Sequence, residues 1–418
     1  MKKTTRFALM IAALSAFSLG FTSCEPENGP ENDSQYADRT YGNEAVASCE
    51  ALINQLNAAT KKIVGSRLTD KQAETLKAAV ENDVQNVIIP TYTRLADAAV
   101  ALQKALGDLS AKDIKQSDID AACAAFKEAR AWWEKSEAFL GGAASDFDID
   151  PTIDSWPLNR DLLLSYFQTG KYSEDALEDA SILGFHALEF VLFRNGKNRT
   201  IAEFQTNDSY KGFTSVPAAE ELKYAQAVAK QLVNRCYQLQ VSWELTPTSS
   251  RLEAVKKAGL EYQTKNGRSF GWNMINAGTS GSTFDDLADV IQQLLNDDEG
   301  SCAAIADEVG SGKIGNPFVS GYIFYVESPY SFNSITDFQN NIRSIENIWY
   351  GSTDGSRHPA QHSLHQWFKD NDSATGNAVE KAIADAIQKI GAMPAPFVKY
   401  VSTIWNKSFE DDKVVDLE

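Results

Sequence analysis

The chain has 418 residues and a formal net charge of −18 at pH 7, and 43% of its residues are hydrophobic. So acidic a balance excludes the basic surface that nucleic-acid binding requires, and we expect no nucleic-acid partner. The length favours two domains, and hydrophobic residues recur mainly with the period of an α-helix. The sequence therefore predicts an all-α protein in which two helical-bundle domains pack against each other.

The N-terminus has the pattern of an export signal. Basic residues near the start precede an apolar stretch over residues 7–21, which is typical of a secretory signal peptide. Small residues then precede Cys24, in an arrangement that resembles a bacterial lipobox. We expect cleavage of residues 1–23, lipidation of Cys24, and a flexible polar tether over residues 24–42. The alternative is an ordinary cleavable signal with an incidental cysteine.

The lipid on Cys24 is the predicted anchor to the membrane. No later run reaches the roughly 18 uncharged apolar residues that a transmembrane helix needs. Glu25 follows the cysteine, and by resemblance to bacterial sorting rules this favours the outer membrane. We therefore expect an outer membrane lipoprotein that is periplasmic or surface-exposed.

The first predicted bundle covers residues 43–246. Its helices are predicted at 43–64, 69–109, 117–140, 173–195 and 216–243. Pro90 should kink or break the second of them. Ser173 is a candidate N-cap for the fourth, and Asn195-Gly196 a candidate stop.

The second predicted bundle covers residues 247–418, after a break at Thr246-Pro247-Thr248. Its helices are predicted at 250–262, 283–295, 335–349, 374–390 and 396–409. Loops are expected at 327–331 and 351–359.

Four cysteines follow Cys24, at positions 49, 123, 236 and 302. They are far apart and form no C-x-x-C pair, so no disulfide pairing and no cysteine metal site is indicated. Since three of them fall in helical patterns, buried free thiols are the favoured interpretation.

A buried pair of ionisable residues marks the most informative segment. His186 and Glu189 lie three residues apart in an otherwise apolar run over residues 182–193. On a helix they share one face, and the run around them is apolar on nearly every side. A buried imidazole and carboxylate must be paired or coordinated, because burying either without a partner is costly.

Two further segments could support that pair. Phe126, Arg130, Trp133 and Glu137 form a stripe along the predicted helix 117–140. This stripe is either a structural Arg–Glu pair on a bundle face or a support in which Glu137 acts as ligand or hydrogen-bond acceptor for His186.

The loop Asp154-Ser155-Trp156-Pro157 contains the second candidate support. Asp154 and Trp156 either line a pocket or cap the next helix.

These segments together resemble the imelysin-like family. Gly184 to Glu189 fits the G-x-H-x-x-E motif of that family, and segments 129–139 and 154–157 are similar to two further family segments. Segments 306–310 and 327–331 look like the Bacteroidetes-type lipoprotein branch of the family. The similarity spans roughly residues 44–410.

The resemblance implies an all-helical fold of two bundle-like domains with the motif near their interface. It also implies an outer-membrane or periplasmic location. Some members are described as metallopeptidases that cleave insulin-like substrates, and others are linked to iron uptake and to iron-binding lipoproteins. The resemblance assigns the motif residues of the family to His186 and Glu189 of this chain. It explains Gly184 by close helix packing.

Ligand chemistry helps to choose between these activities. A zincin helix has two histidines four residues apart, with a glutamate as general base. Here His186 and Glu189 supply two ligands, so Glu137, Asp154 or a residue from the second domain must complete the set. No general base is evident.

The favoured function is therefore binding of iron, another divalent metal or a metal complex during uptake, with a possible outer-membrane transport partner. Arg130 and Glu137 would orient or neutralise the His–Glu pair. A metallopeptidase is the rival function, and a surface adhesin or scaffold is a third.

A second group of histidines has no counterpart in the family motifs. It comprises His358, His362 and His365. Imidazoles are good ligands for several transition metals, but this segment follows a Gly/Ser-rich loop. A solvated polar helix start is the favoured interpretation.

Overall fold

α-Helices dominate the computed structural model, which describes residues 40–107, 109–170, 177–210, 212–247, 250–317, 325–356 and 362–401. The predicted all-α class is confirmed, since the described residues contain only one sheet, a short two-stranded hairpin. The predicted signal peptide, Cys24 and most of the tether lie outside the described residues. Residues 40–42 of the predicted tether are instead the first turn of a helix.

The helices up to residue 192 begin with a long first helix of 25 residues. They are α1 Thr40–Val64, α2 Asp70–Asn82, α3 Ile89–Leu106, α4 Gln116–Glu134, α5 Ala143–Asp146, α6 Asp150–Asp154, α7 Arg160–Thr169 and α8 Gly184–Leu192. A π-helical turn, Asp83–Ile88, joins α2 to α3, and 3₁₀ turns lie at Glu137–Phe139 and Ala180–Ile182. Strands β1 Phe193–Arg194 and β2 Lys197–Asn198 pair antiparallel after α8.

The remaining helices include three long ones. They are α9 Ile201–Phe204, α10 Ala218–Trp243, α11 Ser250–Lys257, α12 Phe270–Ile275, α13 Leu287–Asn296, α14 Cys302–Asp307, α15 Ser334–Tyr350, α16 Leu364–Asn371, α17 Ser373–Gly391 and α18 Val398–Val401. A π-helical segment, Glu308–Gly315, follows α14.

Pro90 does not break the second predicted helix. It lies at the start of α3, directly after the π-helical turn Asp83–Ile88. Since the first turn of a helix tolerates a missing N–H, the proline is accommodated there, and the irregularity appears one turn earlier.

The predicted helix 117–140 ends at Glu134 instead of Leu140. The backbone N–H and the hydroxyl of Ser136 both donate to the carbonyl of Trp133, at 2.7 and 2.6 Å. These local bonds replace the helical pattern. Glu137 therefore lies in a 3₁₀ turn, so the expectation that it shares one helix face with Arg130 and Trp133 was wrong.

The helix that carries the His–Glu pair is shorter than predicted. Residues 177–183 are not α-helical, and α8 begins only at Gly184, whose φ is +70°. Ser173, the expected cap, lies outside the described residues. After Leu192 the chain forms the hairpin, in which Asn195 and Gly196 both have positive φ, as a two-residue type I′ turn requires.

Helices from both sides of residue 246 pack together. The first helix, α1, contacts α13, α14 and α17, while α4 contacts α15. The described residues belong to one compact unit, and the two-bundle division at residue 247 stays a prediction. None of the described helices is long and apolar enough to span a membrane.

The cysteines of the core are buried and free, as predicted, at positions 49, 123, 236 and 302. Burial raises the pKa of Cys49 and of Cys123 to about 12. These thiols therefore stay protonated and act as small apolar groups.

Candidate metal centre

His186 is placed by an unusually close contact between α8 and α6. A Cβ on Gly184 would lie 1.9 Å from the carbonyl oxygen of Ile153, and the positive φ of this glycine is also unfavourable for other residues. Because α8 begins directly against the end of α6, its His186 lies beside Asp154. The imidazole Nε2 is 3.1 Å from Asp154 Oδ1, within ion-pair distance but without hydrogen-bond geometry.

Asp154 links this imidazole to α4. Its Oδ2 accepts a hydrogen bond from Trp133 Nε1 at 2.7 Å, and its Oδ1 forms an ion pair with Arg130. The sequence left open whether Asp154 lines a pocket or caps a helix, and the structure places it at the centre of the buried charges.

Arg130 brings three carboxylates together. Its guanidinium is fully buried, lies 2.5 Å from Glu134 Oε1, and forms ion pairs with Asp154 and Glu327. Glu327 precedes α15, and the hydroxyl of Ser334 donates to its backbone carbonyl. It lies 3.9 Å from His186 Nε2. Glu327 is the main site residue that sequence reasoning missed; its only signal was the family-like segment 327–331.

Lys313 is a second buried cation at this place, supplied by the π-helical segment Glu308–Gly315. Its Nζ lies 3.2 Å from Glu327 Oε2 and 3.3 Å from Glu308 Oε1. It also donates to Asn341 Oδ1 at 3.3 Å. Lys313 was not among the predicted site residues, because a lone lysine in a glycine-rich segment carries no motif.

Glu189 faces both His186 and the loop after Glu327. Its Oε1 accepts hydrogen bonds from the backbone N–H of Tyr330 at 3.1 Å and from the N–H and hydroxyl of Ser331 at 2.7 and 2.6 Å. Its Oε2 is 3.8 Å from His186 Nδ1. The glutamate therefore fixes the loop and faces one ring nitrogen of His186, while the other ring nitrogen lies toward Asp154 and Glu327.

Glu137 is buried near Lys313, whose charge favours ionisation of its carboxyl group. Only 4% of the residue is exposed, and its carboxylate makes no hydrogen bond or ion pair with any residue that the structure describes. One of its oxygens lies within 4.8 Å of carboxylate oxygens of Glu134 and Asp154. The structure thus brings Glu137 to the cluster, but beside these two acids instead of beside His186.

Two sets of three side chains have the spacing of metal ligands within the described parts of the chain. One is Asp154, His186 and Glu327, and the other is Glu134, Glu137 and Asp154; in each set the ligand atoms lie within 4.8 Å of one another. An imidazole with carboxylates suits iron, zinc or manganese. The donor set therefore fits a transition-metal ion.

We call the whole group the acidic cluster. Its carboxyl residues are Glu134, Glu137, Asp150, Asp154, Glu189, Glu327 and Asp337, and its basic residues are Arg130, His186 and Lys313. Carboxyl groups clearly outnumber bases.

The charges of the acidic cluster shift its pKa values strongly. Burial disfavours the charged imidazole of His186, but Asp154, with help from Glu189, outweighs burial and raises its pKa to about 9. Burial raises the pKa of Glu134 and of Glu137 well above their usual range. For Asp154, burial opposes ionisation, yet Arg130 and His186 hold the pKa well below its usual range.

The acids farther from His186 are also affected. Burial and the neighbouring acids raise the pKa of Asp150 and of Asp337 to about 7. The cluster thus retains protons where it lacks positive charge.

The other predicted residues lie at the edge of the cluster or outside it. Trp156 is partly exposed and its ring packs edge-on against Tyr325 at 5.2 Å. His365 pairs with Glu380 at 2.7 Å, and His362 is exposed. His358 lies outside the described residues.

A family model and a known relative both match most of the chain. The family model for imelysin (peptidase M75) matches residues 88–412. The iron-regulated protein A of Synechococcus elongatus is 24% identical over 331 residues, which is 78% of each chain.

Two solved structures are similar to this fold. A crystal structure described as a putative iron-regulated protein A precursor, from Parabacteroides distasonis, has a TM-score of 0.67 and 26% identity, over 83% of this chain and 92% of that chain. An imelysin-like protein from Psychrobacter arcticum has a TM-score of 0.53 and 13% identity, over 82% and 92%. The family match covers most of the chain, and the protein therefore belongs to the imelysin family.

Proposed function

We propose that this protein binds iron, as an ion or as a complex, at Asp154, His186 and Glu327, and that it serves iron uptake at the cell envelope. The observation that carries the proposal is the spacing of these three side chains, whose ligand atoms lie within 4.8 Å of one another. They come from α6, α8 and the loop before α15, so the fold itself assembles the site. The names of the iron-regulated relatives support iron over other metals.

The charge balance supports a cationic cargo. The acidic cluster has seven carboxyl groups against three basic side chains. Excess negative charge in a buried place is costly unless protons or cations compensate it. A metal ion supplies that compensation, and its arrival would release protons.

Arg130 is the main competitor of the cargo. Its guanidinium contacts Asp154 Oδ1 and Glu327 Oε1, the same oxygens that face His186 Nε2. Each carboxylate oxygen has lone pairs for both the guanidinium and a metal ion, but each contact with Arg130 lowers the affinity of the site for the ion. Arg130 therefore keeps the site assembled and also limits its affinity, which suits a protein that must release what it binds.

The location is part of the same proposal. The signal-like N-terminus and Cys24 support a lipid anchor in the outer membrane, and uptake would then require an outer-membrane transport partner. Glu189, which the sequence favoured as a ligand, supports the site by holding His186 and the loop at Tyr330 and Ser331.

Metal titration of the mature protein tests the proposal. Affinities for Fe²⁺ under anaerobic conditions and for Zn²⁺ would be measured by chelator competition, for the wild type and for His186→Asn and Glu327→Gln. We expect both variants to bind at least tenfold more weakly. The matched control is His365→Asn, which removes another carboxylate-paired histidine and should change nothing. Unchanged affinity in His186→Asn would overturn the proposal.

Peptide hydrolysis is the second candidate function. The match to a family model that is named for a peptidase favours it. Insulin B chain would be incubated with metal-loaded wild type and with Glu189→Gln. Equal cleavage by both proteins, or none by either, would remove this site from consideration as a peptidase centre.

A further inference from the structure

We propose that the acidic cluster holds two metal ions, the second at Glu134, Glu137 and Asp154, with the Asp154 carboxylate shared between both sites. The inference rests on the proposed function, since the first ion is the one at Asp154, His186 and Glu327. Both sets of three ligands have atoms within 4.8 Å of one another.

Glu137 is the observation that points to a second ligand. It is 4% exposed, and no described residue forms a hydrogen bond or an ion pair with its carboxylate. One of its oxygens lies within 4.8 Å of carboxylate oxygens of Glu134 and Asp154, and Lys313 is the buried cation whose charge favours its ionisation. A buried carboxylate that faces two other carboxylates is costly unless a cation lies between them.

Glu134 presents an oxygen to the same place. The residue is fully buried, and its Oε1 accepts no hydrogen bond, although Arg130 lies 2.5 Å away as an ion-pair partner. Its Oε2 accepts a hydrogen bond from Asn341, with Lys313 at 3.9 Å. The oxygens that Arg130 contacts have further lone pairs available to an ion.

One ion cannot use all of these ligands. Glu137 shares a set with Asp154 but none with His186 or Glu327 among the described residues, while His186 shares a set with Asp154 and Glu327. Asp154 alone belongs to both. A shared carboxylate between neighbouring ions is the usual arrangement of two-metal sites, and helical bundles build such sites from glutamates and histidines on facing helices.

The charge balance agrees with two ions. When metal displaces the protons that these buried acids retain, seven carboxylates and three cations leave four negative charges in excess, which two divalent ions neutralise and one does not. The two sites differ in chemistry. The first contains an imidazole and suits Fe²⁺ or Zn²⁺, whereas the second has only oxygen ligands and suits harder cations such as Fe³⁺ or Mn²⁺.

Metal stoichiometry tests the second site. The mature protein would be stripped with chelator and dialysed against Mn²⁺ or Fe²⁺, and bound metal would be counted by mass spectrometry. We expect two equivalents for the wild type, one for Glu137→Gln and one for His186→Asn. Asp154→Asn should retain less than one. The matched control is Glu308→Gln, which removes an acid next to Lys313 that belongs to neither set and should retain two.

The outcomes separate the two proposals. One equivalent in the wild type that is lost in His186→Asn would overturn the second site and leave the proposed function standing. Two equivalents in Glu137→Gln would also overturn it. If no metal binding depended on His186, both proposals would be overturned.

A spectroscopic measurement covers the case of variants that fail to fold. In the wild type loaded with Mn²⁺, electron paramagnetic resonance should show two coupled ions. The six-line spectrum of isolated Mn²⁺ at full loading would contradict neighbouring sites.

Discussion

Two buried groups of charges in this protein contrast sharply. The acidic cluster has an excess of carboxyl groups, whereas a second group, which we call the balanced cluster, has two arginines and two acids: Arg194, Arg199, Asp208 and Glu221. In the balanced cluster Arg194 lies 2.5 Å from Asp208 and Arg199 lies 2.5 Å from Glu221. All four are buried. Two guanidinium groups face two acids there, so the balanced cluster needs no further cation.

The difference in origin is equally informative. The balanced cluster comes from residues 194–221, and its arginines also donate to carbonyls of Phe190 and Val191 at the end of α8. It closes the hairpin onto the helix and has a structural role. The acidic cluster draws on residues from 130 to 337 and keeps unpaired carboxyl groups. An imbalance that the fold maintains at a cost supports the proposal that the acidic cluster is the functional one of the two groups.

The largest expected effect comes from removing one arginine from each cluster. Arg130→Met and Arg199→Met should each lower the free energy of unfolding by about 3–5 kcal/mol, because each leaves buried carboxylates without their partner. Urea unfolding with chelator present measures both losses. Metal should separate the two variants, since an ion can replace the positive charge of Arg130 but not that of Arg199.

The stabilisation that bound metal should give can be stated in advance. An ion at 100 times its Kd stabilises a protein by about 2.7 kcal/mol. We expect Arg199→Met to gain as much as the wild type and Arg130→Met to gain more. Equal gains in both variants would contradict the difference between the clusters.

A second, smaller effect is a pH dependence of opposite sign in the two clusters. Asp154 and Glu189 outweigh burial and raise the pKa of His186 to about 9 from 6.5. Its contribution to stability is therefore complete below pH 6.5 and is lost as pH rises through 9. The difference amounts to about 3 kcal/mol.

The balanced cluster should respond at acid pH. Although burial opposes ionisation, Arg194 and the groups around it lower the pKa of Asp208 to about 2 from 3.8. Its contribution is present above pH 3.8 and is lost as pH falls through 2. Urea unfolding of metal-free wild type, His186→Asn and Asp208→Asn between pH 2 and 10 would measure both. A His186→Asn profile parallel to that of the wild type from pH 6 to 10 would refute the assignment.

The smallest effect concerns Glu189, which joins α8 to the loop of the acidic cluster. Glu189→Ala should cost about 1–3 kcal/mol, because the N–H groups of Tyr330 and Ser331 lose their acceptor. Glu189→Gln keeps an acceptor and should cost less, but should weaken metal binding by about 10–100-fold through the misoriented His186.

Hydrogen exchange at the amides of Tyr330 and Ser331 is the measurement for the loop, together with chelator competition for the metal. The amides should exchange faster in Glu189→Ala and nearly as in the wild type in Glu189→Gln. If Glu189→Gln bound metal as tightly as the wild type while Glu189→Ala bound it weakly, the hydrogen bonds of Glu189, and not its charge, would be what metal binding requires.

Much of the fold was accessible from sequence. The helical period located most long helices, and the buried His186 and Glu189 followed from an apolar run that tolerates no unpaired charge. Asp154 was recognised as one of several candidates. The remaining site residues depend on tertiary contacts: Glu327 and Lys313 reach the cluster from irregular segments that have no periodic pattern.

The position of Glu137 shows the other limit. A continuous helix predicted it on the face of Arg130, but two hydrogen bonds of Ser136 end that helix early. A side chain that hydrogen-bonds to the backbone can end a helix without any change in the hydrophobic pattern, so periodicity does not predict such an end. The 3₁₀ turn after the helix nevertheless places Glu137 in the acidic cluster.

Gly184 has a consequence for engineering. Its position against Ile153 leaves no space for even one additional carbon, so every other amino acid would separate α8 from α6. The register between the imidazole and the aspartate is thereby fixed by the backbone and not by any replaceable side chain. Engineering of the proposed metal sites should therefore exchange the proposed ligands, such as Glu137 or Glu327, and leave this contact untouched.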